Sequence, residues 1–368
     1  MDYMETVDSL LIIGNGFDLS CKLKSRFSDY YSFKCEEKIK NVYDCFKKKN
    51  IHKLKNYINN IDDSVNFWTF LMYIQFYSKE DNYKINDIND NNWFDIEMLI
   101  RRSLIEKYSG GFALNYYFNI AINFDKDDSS NLDLFNCIIW KNPFVFFFYF
   151  WALSFSNMYD FLMIELHKFE NDFKRYLKSE INDEYYKNCH KLLINIIDED
   201  FDYVDILNFN YTTFRDDNLI RNQINIHGQL SDDEVIIGFD SNNVEKEELY
   251  RFTKTYRNIH RSKEIISLPK EVLSMIFYGH SLADADFSYF YSLFDMYDLY
   301  NGEVKLIFLY SDYEKENDKN DKNHNNYVER VYRLIGRYSS QSHNDNNLLH
   351  RLLLEGRIII KKIEVNYE

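Results

Sequence analysis

Apolar residues are distributed along this chain in two textures. The opening stretch Ser9–Ser20 reads SLLIIGNGFDLS, in which a continuous apolar run, Leu10–Ile13, is cut off by two glycines and an aspartate. An uninterrupted run of that length fits a strand buried on both faces, as in a parallel sheet. From about Phe27 to Lys49 the apolar and aromatic residues recur three and four positions apart, with lysines between, and residues 50–200 keep that helical period. Helical stretches are expected at Trp93–Tyr108 and Tyr159–Leu177, broken by Asn/Asp-rich loops at Asp81–Asn92 and Asp125–Asn131. Beyond residue 201 the texture changes. Short apolar runs at Tyr203–Leu207, Ile224–Ile226, Val235–Ile237, Met275–Phe277, Val304–Leu309 and Arg357–Ile363 alternate with helix-like segments, which predicts a mostly parallel sheet. Asp312–Asn326 reads as a charged, solvated loop. The expected architecture is α/β: a Rossmann-like, mostly parallel sheet built from residues 1–34 and 201–368, with a mainly helical insertion over 35–200.

Composition narrows the partners. The chain has 368 residues, 45% hydrophobic and 18% aromatic, which supplies ample core and excludes a disordered class. Its net charge of −15 argues against a surface that tracks nucleic-acid phosphates. The five cysteines, Cys21, Cys35, Cys45, Cys137 and Cys189, show no C-x-x-C spacing, so reduced thiols are expected rather than a disulfide frame or zinc ribbon. The longest apolar run, Pro143–Phe155, is well short of the roughly 20 residues that span a bilayer and reads as a buried helix. The acidic opening does not resemble a secretory signal, so a cytoplasmic location without a membrane is expected.

Chemistry concentrates where the predicted strands end. Of ten glycines, five follow such strands: Gly14 and Gly16, Gly228, Gly238 and Gly279. Ligands of open parallel sheets bind at the carboxyl ends of strands, where glycine lets backbone come close and helix-start N–H groups can hold phosphate. Beside these glycines stand Asp18, Asn208 and Asn210, His227, His280, Ser281, Asp284 and Asp286. Each also has a plainer role. Asn210 could shape a turn, His227 could be a satisfied rim histidine, Asp18 a helix N-cap, and Ser281 with Asp284 a capping pair.

In this order the motifs GNGFDL, NNWFDIE (Asn91–Glu97), LNFNYT, IHGQL and GHSLADAD resemble the AbiH family of bacterial abortive-infection proteins over nearly the whole chain. Where that family usually continues with a His-Gly-Leu-Pro-Thr-like stretch, this chain has Cys21-Lys22-Leu23-Lys24-Ser25. More remotely, the order of motifs is similar to the sirtuin-type NAD-binding fold. That resemblance implies Asn210 as the residue orienting ribose or water and His227 as base. It implies Gly14, Asn15, Gly16, Phe17, Gly228, Gly279, His280, Ser281 and Asp286 as dinucleotide contacts. Asp18 is a further candidate for steadying the ribose or a developing cation. The four-cysteine zinc module of sirtuin deacylases is absent from the sequence, which favours NAD hydrolysis over deacylation.

The expected function is therefore an anti-phage protein that binds NAD or a related dinucleotide and hydrolyses its nicotinamide–ribose bond, responding to a phage-derived trigger or defence partner, as a monomer or homo-oligomer. Two other readings stay open. One is a non-catalytic nucleotide sensor acting through a partner. The other is a metal-dependent phosphoesterase or nuclease using Asp18, His227, His280, Asp284 and Asp286 as ligands.

Overall fold

The computed structural model describes residues 7–76, 96–105, 114–124, 137–197, 203–215, 218–242, 244–261, 268–311, 320–342 and 347–365. The expected loops at Asp81–Asn92 and Asp125–Asn131, and most of the NNWFDIE motif, lie outside the described residues. The chain divides into two compact units, one comprising residues 1–25, 177–235 and 258–368, the other 26–176 and 236–257.

Six strands form the first unit's sheet: β1 (Val7–Ile13), β2 (Val204–Asn208), β3 (Ile220–Asn225), β4 (Val272–Tyr278), β5 (Lys305–Tyr310) and β6 (Ile358–Lys362). All pairings are parallel, in the order β3-β2-β1-β4-β5-β6. This is the doubly wound Rossmann order, and the α/β class expected from the sequence is the one found. The direction of winding reverses between β1 and β4, which puts the switch point, where ligands of such sheets bind, at the carboxyl ends of those two strands.

The apolar run of β1 follows from its central place. Leu10 and Ile12 enter one core with Phe277, Phe290 and Phe308, whereas Leu11 and Ile13 enter the opposite core with Phe17, Leu192 and Ile206. All four are fully buried, each contributing roughly 1.5–3 kcal/mol of transfer free energy. Polar residues within these strands are paired across the ladder. Ser9 on β1 faces Ser274 on β4 in register, and their hydroxyls hydrogen-bond at 2.7 Å. Buried Asp205 on β2 accepts two bonds from Arg221 on β3, at 2.9 and 2.8 Å.

Two segments differ from expectation. Val235–Ile237 is buried but forms no strand. At Ile237 side chains take the backbone instead: its N–H donates to Glu170 and its carbonyl accepts from Arg257 at 3.0 Å, so its N–H is not free for a ladder. Gly238 accordingly ends no strand; it packs against the Phe252 carbonyl beside an isolated parallel bridge, Phe239–Thr253. The C-terminal half of the expected loop Asp312–Asn326 is also helical, since a helix runs Asn320–Ser342. Its polar first turns hide a stripe that begins only at Tyr327 and continues through Val331, Leu334, Ile335 and Tyr338, all buried in one core.

The second unit is helical over most of its described residues. Pro143–Trp151 is the buried helix expected there, opened by the Asn142 side chain, which accepts from the N–H groups of Phe144 and Val145. Its rings pack against one another and against Phe67, with Phe147 stacked on Trp151 at 4.4 Å and Phe67 on Phe148 at 5.2 Å. No described helix is long and apolar enough to cross a membrane.

The burial pattern carries a direct stability prediction. Ile12→Ala empties part of a closed core and should lower the unfolding free energy by about 2–5 kcal/mol, whereas Leu354→Ala removes a side chain 89% exposed and should change it by less than about 0.5 kcal/mol. Urea titrations of the two variants check this.

Candidate functional site

At the β1–β4 boundary, backbone meets backbone. The Gly14 N–H donates to the Tyr278 carbonyl at 3.2 Å, and the Gly16 N–H to the Gly279 carbonyl at 2.7 Å. Gly279 has φ +67°, and a Cβ there would lie 2.2 Å from the Phe17 nitrogen, so only glycine fits. A Cβ on Gly14 would lie 2.7 Å from the Cα of His280. The Phe17 N–H donates to the Gly14 carbonyl at 2.8 Å. These three N–H groups of the glycine turn are thus engaged within the protein.

On one side of Gly14 stands a histidine–aspartate–histidine cluster. Asp286 contacts His227 Nε2 through Oδ1 at 3.3 Å and His280 Nε2 through Oδ2 at 3.4 Å, and all three residues are buried. The Leu282 N–H donates to His280 Nδ1 at 2.9 Å. Nδ1 is therefore an acceptor, and neutral His280 carries its proton on Nε2, facing the carboxylate. Leu282 holds this geometry at φ +50°, a strained conformation for a branched side chain, stabilised by complete burial of that side chain. His227 Nε2 faces the same carboxylate, and a neutral His227 ring that donates there carries its basic lone pair on the buried Nδ1. Phe209 packs edge-on against both imidazoles, at 5.5 and 4.7 Å, and Tyr289 against His227 at 5.7 Å.

On the other side a network of amides shapes the loop after β2. Asn210 donates from Nδ2 to the Gly14 carbonyl at 3.0 Å, and its own N–H donates to Asn208 Oδ1 at 2.8 Å. Asn225, at the end of β3, donates to the carbonyls of Asn210 and Thr212, both at 2.8 Å. So fixed, the Thr212 hydroxyl points at Asp18, 3.1 Å from each carboxylate oxygen, and the Tyr185 hydroxyl donates to the same carboxyl at 2.8 Å. Burial pushes the Asp18 carboxyl from 3.8 up to about 7, against these two hydrogen bonds, which pull it down.

The candidates thus fall into two groups joined at Gly14. His227, His280 and Asp286 are together; Asp18 stands with Thr212 and Tyr185; Asn210 bonds Gly14 itself. Asp18 is no N-cap, since Gly14 occupies that position of the helix Asn15–Ser20. Phe17 is fully buried core, ringed by Phe214 and Tyr278, and the exposed Asn15 accepts from Ser25. Gly228 lies against the Glu234 carbonyl, and Ser281 is exposed. The expected Ser281–Asp284 cap does not form. Ala283 holds the cap position without a side-chain bond, and Asp284 pairs outward with Arg333 and Arg337. Among the described residues, no group of three or more His, Cys, Asp or Glu side chains is arranged to hold a metal ion. Sequence reasoning missed Tyr185, which is 167 residues from Asp18 in the chain, and gave Thr212, Phe209 and Asn225 no role.

The fold and rim define an α/β protein with a doubly wound parallel sheet and a buried His–Asp–His cluster beside its switch point. The family model for bacteriophage abortive infection AbiH matches residues 10–310. The chain belongs to that family of anti-phage abortive-infection proteins. No curated protein and no solved structure matches it.

The raised Asp18 carboxyl gives a signed pH dependence. A folded-state value near 7 against 3.8 means that the folded protein binds this proton more tightly than the unfolded chain. The resulting stabilisation is complete below pH about 4 and is lost as pH rises through about 7. Asp18→Asn should flatten the fall in Tm between pH 5 and 8 and be the more stable protein at pH 8. Thermal melts across that range check it; a fall as steep as that of the unaltered protein would contradict the burial account.

Proposed function

We propose that this protein acts in abortive infection by hydrolysing the bond between nicotinamide and ribose in NAD or a closely related dinucleotide. The observation that carries the reading is the His227–Asp286–His280 cluster beside the switch point of a Rossmann-order sheet, where ligands of such sheets bind. Breaking an N-glycosidic bond passes through an oxocarbenium-like state and requires a positioned water and a base. In the proposed reaction water attacks C1′ of the ribose, and His227 Nδ1 takes its proton. The C1′–N bond breaks, and its electron pair leaves with nicotinamide, cancelling the ring's positive charge. Asp286 steadies the imidazolium that forms, as a carboxylate does for a catalytic histidine. Asn210 holds the Gly14 backbone that the ribose approaches, and Asp18 is the nearby group able to carry a proton at neutral pH. Because the Gly14, Gly16 and Phe17 N–H groups are engaged, the dinucleotide phosphates need further donors from elsewhere on the rim.

Release of nicotinamide from NAD by the purified protein, with and without phage lysate, tests the proposal. His227→Ala and Asn210→Ala should each lower turnover by about 100-fold or more, and the double variant should lose no more than the worse single. Both should retain the unaltered protein's fold by circular dichroism. Dinucleotide binding with no nicotinamide release would overturn hydrolysis in favour of a sensor. Unchanged turnover in His227→Ala would overturn the assigned base.

A further inference from the structure

The turn that presents Asp286 to the histidines also presents Asp284 to solvent, and three arginines converge on it. Arg330, Arg333 and Arg337 lie on one face of the helix Asn320–Ser342, at spacings of three, four and seven residues. Arg330 Nη1 donates to the Ser281 carbonyl at 3.3 Å, Arg333 Nη2 pairs with Asp284 Oδ1 at 3.2 Å, and Arg337 Nη1 with Asp284 Oδ2 at 2.7 Å. The guanidinium groups of Arg333 and Arg337 lie 5.9 and 5.6 Å from the Phe287 ring, which restrains their orientation. All three arginines are exposed, with nearly half of the Arg333 and Arg337 side chains open to solvent. Three positive charges face the outward Asp284 carboxylate in a chain of net charge −15. Exposed ion pairs of this kind add little stability. Their forked donors nevertheless match phosphate oxygens, beside the turn after β4 whose Tyr278 and Gly279 carbonyls already take the Gly14 and Gly16 N–H groups.

We propose that Arg330, Arg333 and Arg337 form a phosphate-binding face that takes the pyrophosphate of the dinucleotide, which rests on the reading of the rim given above. Asp284 occupies donors of Arg333 and Arg337 in the ligand-free protein and yields them to the incoming phosphate, while Arg330 is held on the Ser281 carbonyl. The anion therefore competes with a carboxylate, and removing that carboxylate has the opposite effect from removing the arginines.

Calorimetric titration of the full chain with inorganic pyrophosphate at low salt tests this on the unaltered protein, the triple variant Arg330→Gln/Arg333→Gln/Arg337→Gln, Arg330→Gln alone, and Asp284→Asn. The triple variant should bind at least about 100-fold more weakly and Arg330→Gln about tenfold more weakly, whereas Asp284→Asn should bind about tenfold more tightly. Thermal melts confirm that each variant is folded, and the single arginine variant keeps the test open should the triple fail to fold. If the arginines only tether the loop, Asp284→Asn binds no better than the unaltered protein, and the proposal is overturned. Equal binding by the arginine variants overturns it as well. Steady-state kinetics on NAD separates this proposal from the hydrolase reading. Pyrophosphate binding that follows the arginines, with no nicotinamide released by any protein, upholds the phosphate face and removes the hydrolase. Hydrolysis by the arginine variants with unchanged KM removes the phosphate face and leaves the hydrolase.

Discussion

The whole rim depends on one close approach, that of the turn after β4 to the turn after β1. Gly16 donates to the Gly279 carbonyl, and Gly279 has no room for a Cβ between itself and the Gly16–Phe17 peptide. Because β1 and β4 are neighbours in register, this contact fixes where the chain leaves each strand. From β1 it starts the short helix bearing Asp18; from β4 it starts the strained turn bearing His280, Leu282 and Asp286. A larger residue at Gly279 would part the two turns and move both buried carboxyl groups at once. The two glycines near the N-terminus are accordingly a device for packing backbone against backbone, and the Gly14 side of that packing is filled by His280.

Two buried acids stand on either side of this junction in different company. Asp286 is shared by two imidazoles and interacts with groups that can themselves become charged. Among the described residues the Asp18 carboxyl is hydrogen-bonded by neutral hydroxyls, so burial dominates and its carboxyl is raised. The Arg333–Asp284–Arg337 pairing lies two residues from Asp286 on the same turn, so one short segment carries both the inward His–Asp–His contacts and the outward arginine pairs.

The sheet was legible because its inner strands carry the signature of burial on both faces. Leu10–Ile13 is apolar without interruption, and the winding follows from strands alternating with helices. β3 was cut short in the sequence reading because edge position leaves Arg221 and Asn222 exposed, and an exposed edge carries no apolar run. Val235–Ile237 has the composition of a strand, but Glu170 and Arg257 capture its backbone, and no local pattern announces a partner 67 residues away. At the rim, residue types at strand ends name segments that the fold brings together, without giving their pairing. His227, His280 and Asp286 could be named from motifs, yet their meeting through one carboxylate depends on the Leu282 conformation. Tyr185 gave no signal, since only the folded chain brings its hydroxyl to Asp18.

Ring-nitrogen NMR of the histidines, recorded as ADP-ribose is added, tests the central claim that the His–Asp–His cluster is the reactive centre of a dinucleotide site. The account predicts a neutral Nε2–H tautomer for His280 in the free protein and a shift of the His227 ring signals that saturates with ligand, while His52, exposed in the second unit, stays unmoved. A His280 ring protonated at Nδ1, or His227 signals unchanged at saturating ADP-ribose, would contradict it.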